Sequence, residues 1–344
     1  MDPFTHALTS YALERAGLRR VSRFALPILL VAGVAADLDL LSQFGGANAY
    51  FRYHYAVLHS LLGSAILVVV VAGAFCIFGR GAKRPPLRFS RVIILCLIAA
   101  ALHVLLDYFG AEGVQLLWPF HIHWFSLDWL PELDPWIIAL LLIGSLVPAL
   151  FHLITEEISS RKHKRGASTG AIVALALMAA YIAGRAVLHH SAIQTLLEHD
   201  YHGAAPLVAG AFPDSDSPLV WHGVIDTTNT IEVVDVPVGI AGSFNPPFNP
   251  PFNPMSSLTH FKPPSSPELD AARRAPLAAE FLRYARFPLA NLQTISGGSI
   301  VALRDWRFAE DSPSSANLTV VIQLDNAQHL QDEHLEFPPP SPPK

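Results

Sequence analysis

The nine residues ALHVLLDYF, 101–109, lie inside an otherwise apolar run, VIILCLIAAALHVLLDYFG (92–110). His103 and Asp107 are four apart, so on a helix they stack on one face, a turn from each other. The run has the length of a bilayer crossing, where ionisable groups are costly and mark a function with a partner nearby. Three other stretches offer partners: His6 in MDPFTHAL, Asp37 and Asp39 in AADLDLL, and His54 and His59 in RYHYAVLHSL. We read these seven residues as one metal site.

The composition fits that reading. Of 344 residues, 51% are hydrophobic and only 15% charged, and the mean hydropathy is +0.37. A soluble domain is rarely so apolar, and the excess falls before residue 190, so the chain reads as a membrane protein with a soluble appendage. A net charge of −5 with no basic stripe argues against nucleic-acid binding. Cys76 and Cys96 both fall in apolar runs and read as small core residues. The start, MDPF, lacks the basic lead of a cleavable signal peptide.

Residues 4–18 have helical character, with Asp2 as a cap and Pro3 in the first turn, but end in charge. RFALPILLVAGVAADLDLLSQ (23–43) is apolar until it meets two aspartates, and spans only if these lie at one end. Four uncharged or nearly uncharged runs read as spans: 61–79, 92–110, 136–154 with Pro148 as a kink, and 168–188 with Arg185 near its end.

The loops give an orientation. Arg80, Lys83, Arg84, Arg88 and Arg91 crowd one loop, and Arg161, Lys162, Lys164 and Arg165 another. Residues 110–135 hold no Lys or Arg, and 44–60 hold only Arg52. The basic loops are then cytoplasmic, and residues after 189 are extracytoplasmic. This orientation sets all seven candidate ligands at one depth, the outer third of the bilayer. Scattered structural histidines have no reason to agree in depth.

Beyond residue 190 the pattern changes. LVWHGVIDTTNTIEVVDVPV (219–238) alternates around Thr228-Asn229 as a hairpin does, and 281–295, 297–308 and 317–325 read as strand or mixed segments. FNPPFNPPFNP (244–254) is a proline repeat that forbids regular structure. The expected fold is mainly α: a polytopic membrane helix bundle of about five to six helices over 1–190. A smaller β-rich (α+β) extracytoplasmic domain follows over 191–344, with a disordered insert at 243–268 and a disordered tail at 336–344.

Imidazole and carboxylate together suit zinc or another first-row divalent ion. Seven groups exceed the needs of one zinc, so they suit two ions, or one ion whose ligands are held from behind by carboxylates. Such an ion acidifies bound water to a pKa of about 7, which makes hydrolysis the default chemistry. His6, Asp37, His54, His59 and His103 are the preferred ligands. Asp39 and Asp107 bridge or support, and one of them is the candidate base.

MDPFTHAL, AADLDLL, HYAVLHSL, HVLLDYFG and QLLWPFHIHWFSLDWLPELDP, in this order, resemble the YdjM-type family of bacterial membrane-bound metal-dependent hydrolases. The likeness covers roughly residues 1–190, and more loosely PLVWHGVID, ARFP and VALRDWRF. It implies an integral inner-membrane protein that binds divalent metal through His6, Asp37, Asp39, His54, His59, His103 and Asp107. Two positions depart from the family pattern: Ala36 stands where members carry Pro, and Tyr55 where they carry Arg.

The expected function is a hydrolase of the bacterial inner membrane using one or two Zn2+-type ions. Its substrate is amphiphilic, most simply a lipid phosphoester at the outer face, and its partners are the lipid bilayer and that substrate. The alternative is a non-enzymatic membrane protein in which the metal staples short helices together or is transported.

Overall fold

A computed structural model describes residues 1–79, 86–147, 168–239, 252–308 and 318–336. The chain divides into two compact units: Met1–Leu40 with Tyr55–Arg185, and Leu41–His54 with Ala186–Lys344. The expected boundary at residue 190 therefore moves a turn earlier, to a point inside a helix. The second unit also claims a short stretch of the expected membrane half.

In the first unit, α1 (Pro3–Ala16) starts as its sequence dictates, with the Asp2 carboxylate accepting from the Thr5 N–H at 2.9 Å. It stops at Gly17, whose φ of 142° is open to glycine. α2 (Ala25–Val34) runs into a 3-10 helix, Ala36–Gly45, with a bend of 40°. α4 (Leu61–Phe78) and α5 (Phe89–Phe109) follow, after α3 (Ala47–Tyr53) of the second unit. α6 (Pro135–Leu141) continues as a π-turn, Leu142–Leu146. α7 (Thr169–Leu197) runs from the first unit into the second.

Ile28, Leu29, Val92, Leu95 and Cys96 are fully buried where α2 meets α5. A second core joins Leu106, Leu130, Ile137 and Leu141 to Met178 and Ile182 of α7. α1 and α2 pack at a glycine: a Cβ on Gly33 would stand 2.1 Å from Ser10 Oγ.

α4, α5 and α7 are each long and apolar enough to cross a membrane, and the bent pair, counted as one span, brings the number to four. Outward-facing Ile66, Val69, Val70 and Ile77 of α4 are all more than half exposed. A helix apolar on all sides in this way suits hydrocarbon rather than water. The finer expectation of five to six spans is not reached among the described residues. α1 has only 14 residues. The expected span at 136–154 yields α6 and its π-turn, and Pro148 lies outside the described residues.

The second unit holds two four-stranded antiparallel sheets. The first is β1 (Val208–Pro213), β2 (Val220–Asp226), β3 (Thr230–Pro237) and β4 (Leu258–Phe261), in that order. The hairpin expected around Thr228-Asn229 is the β2–β3 connection. α8 (Pro267–Arg273) and α9 (Pro276–Tyr284) lead into β5 (Pro288–Ile295), β6 (Gly298–Asp305), β7 (Thr319–Asp325) and β8 (Leu330–Glu336). Phe51 of α3 packs edge-on against Phe281 of α9, their centroids 5.6 Å apart.

One expectation is corrected. The insert expected to be disordered over 243–268 contains a 3-10 turn, Pro254–Ser256, and β4, which pairs with β3 from Val233↔Leu258 to Thr230↔Phe261. The backbone ladder of β3 orders a segment whose composition alone gives no strand. Residues 240–251 and 337–344, which carry most of the proline repeat and the tail, lie outside the described residues.

Candidate metal centre

Four pieces of the first unit bring polar side chains to one buried place: α1, the 3-10 helix, the loop before α4, and the C-terminal half of α5. His6, His59, His103 and Asp107 are each no more than 2% exposed there.

α5 supplies His103 and Asp107 from one face, four residues apart. His103 Nδ1 lies 2.8 Å from the Gly33 carbonyl oxygen. A carbonyl only accepts, so Nδ1 carries the proton and the Nε2 lone pair points into the cluster.

His59 is placed by the start of α4. Ser60 caps that helix by accepting from the Gly63 N–H at 2.9 Å, and its own hydroxyl donates to the Val57 carbonyl at 2.9 Å. Ser64 donates to the Leu58 carbonyl at 2.8 Å. A Cβ on Gly63 would fall 1.8 Å from the Val57 oxygen, so only glycine lets the loop fold back this closely. His59 Nδ1 then meets Asp39 Oδ2 at 2.7 Å, which leaves its Nε2 facing inward as well.

The two inward nitrogens, His59 Nε2 and His103 Nε2, are 3.1 Å apart. Asp107 Oδ2 lies 3.2 Å from the first and 3.1 Å from the second. The same oxygen is buried and makes no hydrogen bond. Two ring nitrogens and a carboxylate oxygen thus converge, and the oxygen makes no hydrogen bond. Zinc bonded at about 2.0–2.2 Å sets tetrahedral ligand atoms roughly 3.3–3.6 Å apart, so the donor set suits such an ion after an outward shift of a few tenths of an ångström.

Asp37 Oδ1 stands 3.6 Å from His103 Nε2 and 4.0 Å from His59 Nε2. Its Oδ2 and His6 Nδ1 are buried without hydrogen-bond partners. His6 Nε2 contacts Asp107 Oδ1 at 3.1 Å, and its ring lies 3.8 Å from that of His103. The amino group of Met1 also reaches Asp107 Oδ1, at 2.6 Å. His6, Asp37 and His103 form one group able to hold an ion, and His59, His103 and Asp107 another, with His103 common to both. The Asp39 and Asp107 carboxylates flank the His59 ring, at 2.7 and 3.2 Å. The cluster calls for positive charge, whether proton or cation.

Of the seven residues singled out in the sequence, six meet in this network. His54 belongs to the second unit: the division between units falls between His54 and Tyr55, and the His54 ring stacks on Tyr50 at 4.8 Å. Asp39 supports His59 from behind. Sequence reading missed the Gly33 carbonyl, which has no side chain to notice. Ser60 after His59 reads in the sequence as a helix start, and it is one, but the close approach of Gly63 to the Val57 carbonyl leaves no signal there.

A family model described as YdjM inner membrane protein matches residues 1–192. An uncharacterized protein of Bacillus subtilis (strain 168), YfhP, is 28% identical over 145 residues, 40% of this chain. The match spans 43% of YfhP's own length. No solved structure matches the chain. With more than half of its length matched, and with apolar helices of membrane-crossing length, the chain is a membrane protein that belongs to the YdjM inner membrane protein family.

Proposed function

We propose that the chain is a membrane-bound metal-dependent hydrolase acting on an amphiphilic phosphoester at the outer face of the inner membrane. The observation that carries the reading is the convergence of His59 Nε2, His103 Nε2 and Asp107 Oδ2 within 3.2 Å, with no hydrogen bond to the carboxylate oxygen. Two lone pairs facing a carboxylate repel unless a cation or proton lies among them. The basic loops favour an orientation that puts this cluster in the outer leaflet and the second unit outside the cytoplasm.

His59, His103 and Asp107 would hold a zinc-type ion, and His6 and Asp37 would complete it or hold a second. When bound, such an ion supplies an acidified water and a Lewis acid for a phosphoryl oxygen. Asp39 fixes the proton on His59 Nδ1, and the Gly33 carbonyl fixes that on His103 Nδ1. Asp37 is the least buried of the set, its side chain 15% exposed, and its Oδ2 is unpartnered. It is therefore a better candidate than Asp39 or Asp107 to take a proton from water.

Elemental analysis of detergent-purified protein tests the reading, with wild type beside His59→Ala and His103→Ala. About one or two ions per chain are expected in the wild type, and none in folded variants. A folded wild type that never retains metal overturns the reading. If metal is present but no phosphoester is cleaved, the cluster is a staple or a carrier rather than a hydrolase.

A further inference from the structure

A second feature of the first unit lies beside the metal cluster on the same two helices. Between α4 and α5 runs a groove of about 350 Å³. Small residues line both of its sides, Ser64 and Ala65 from one helix and Ala100 and Ala101 from the other. In a membrane helix small residues usually let a second helix approach closely. Here they leave a gap that none of the described residues fills. Ser64 turns its hydroxyl to the Leu58 carbonyl, so the wall it offers is apolar.

The groove runs along α5 from Leu97 to Tyr108. The eleven helical rises between them cover about 16 Å, half of a hydrocarbon core of about 30 Å, which is the depth of one leaflet. One end comes up to the cluster: Tyr108 follows Asp107, and Leu61 comes two residues after His59. The Leu61 N–H donates to the Leu116 carbonyl at 3.0 Å, and Leu116 also lines the groove, so the loop after α5 closes over that end. A groove one leaflet deep, apolar along its walls and ending beside ligands for a phosphoester, matches the shape of a lipid: one tail along the helices and a headgroup at the top.

We propose that this groove is an acyl-chain site, and that it selects lipid phosphoesters bearing a tail of about one leaflet's length for the metal centre. The word substrate rests on the hydrolase reading, whereas occupancy of the groove by a tail does not. The protein would be placed in nanodiscs of phosphatidylethanolamine and phosphatidylglycerol, with a trace of phosphatidylethanolamine carrying a diazirine in mid-chain. After photolysis, peptide mapping should place the label on Ser64, Ala65 and Ala101 several-fold above Val70, an exposed position of α4 outside the groove. Ala101→Trp and Ala65→Trp, on opposite walls, should each remove the excess, whereas Val70→Trp should leave it. Metal content should be unchanged in all three. Two variants on different helices guard against one that misfolds.

Label spread evenly over the exposed faces, or no loss in either groove variant, overturns the acyl-chain site. So does efficient disulfide-linked dimer formation by Ala101→Cys, which would show a second copy in the groove. Metal retained without groove labelling leaves the metal reading standing alone. Groove labelling without metal removes the metal reading and keeps the lipid site.

Discussion

Asp107 in the first unit and Asp305 in the second are equally buried, at 2% and 1% exposure, and their surroundings differ completely. Asp305 receives the backbone N–H groups of Arg286, Phe287 and Arg307 and the Arg307 Nε, at 2.7–3.1 Å, so both of its oxygens are satisfied. Asp107 keeps one oxygen with no hydrogen bond, facing two imidazole nitrogens. The first is a fastener that ties the segment entering β5 to the segment leaving β6. The second is the arrangement on which the metal proposal rests. A buried carboxylate is therefore no sign of function until its lone pairs have been accounted for.

The largest effect should come from the satisfied member. Asp305→Ala leaves the Arg307 guanidinium buried without its carboxylate and is expected to cost about 3–5 kcal/mol, read as lost protease resistance of the second unit. Metal per folded chain should not change. Asp107→Asn should behave in the opposite way. Its metal content falls to background, while the metal-free protein loses less stability than Asp305→Ala does, because the Asn amide oxygen can still accept from the buried Met1 amino group although the charge is gone. Chelation should then lower the unfolding temperature of the wild type but not of Asp107→Asn, and a hundredfold excess of ion over its Kd corresponds to about 2.7 kcal/mol. If both aspartate variants shed metal equally, or neither does, the contrast between them fails.

Gly63→Ala probes the device that places His59. The added methyl meets the Val57 carbonyl, so the helix start must shift, at about 1–3 kcal/mol by analogy with overpacking. Metal affinity should weaken with it, since His59 rides on that loop. A variant of normal affinity would show that the loop is not what holds the ligand.

The smallest effect concerns pH and the second unit. Burial holds His222 below its ordinary 6.5, with its Nε2–H donating to the Trp306 carbonyl at 3.1 Å. A depressed histidine contributes its full stability above pH 6.5 and loses it as pH falls through the folded value. Acid titration of unfolding should show this decline, and His222→Gln, which cannot ionise, should flatten it.

Much of the first unit was legible because hydrocarbon is an unforgiving solvent. Uncharged runs of the right length gave α4 and α5, and His103 and Asp107 stood out because such residues are expensive there. His54 falls in the other unit for a local reason. The chain turns at Tyr55, with a φ of 54°, and neither spacing nor periodicity reports a left-handed residue. The second unit was half legible: β2, β3, β6 and β7 alternate visibly, while β8 (LQDEHLE) is a mostly polar edge strand that exists because β7 offers it a ladder. The division of the DLDL pair was not legible either. Asp37 faces the nitrogens and Asp39 supports one of them from behind, a consequence of the 3-10 geometry that follows α2.

The two histidines are steadied by different kinds of atom, and this decides what genetics can see. Asp39 is a side chain, so a substitution can remove its hold on His59. The grip on His103 is a backbone carbonyl, present whatever residue occupies position 33. A scan of side chains would therefore reveal one of the two supports and miss the other. The route to the second is indirect: because a Cβ on Gly33 collides with Ser10, Gly33→Ala moves the carbonyl by moving the helix that carries it.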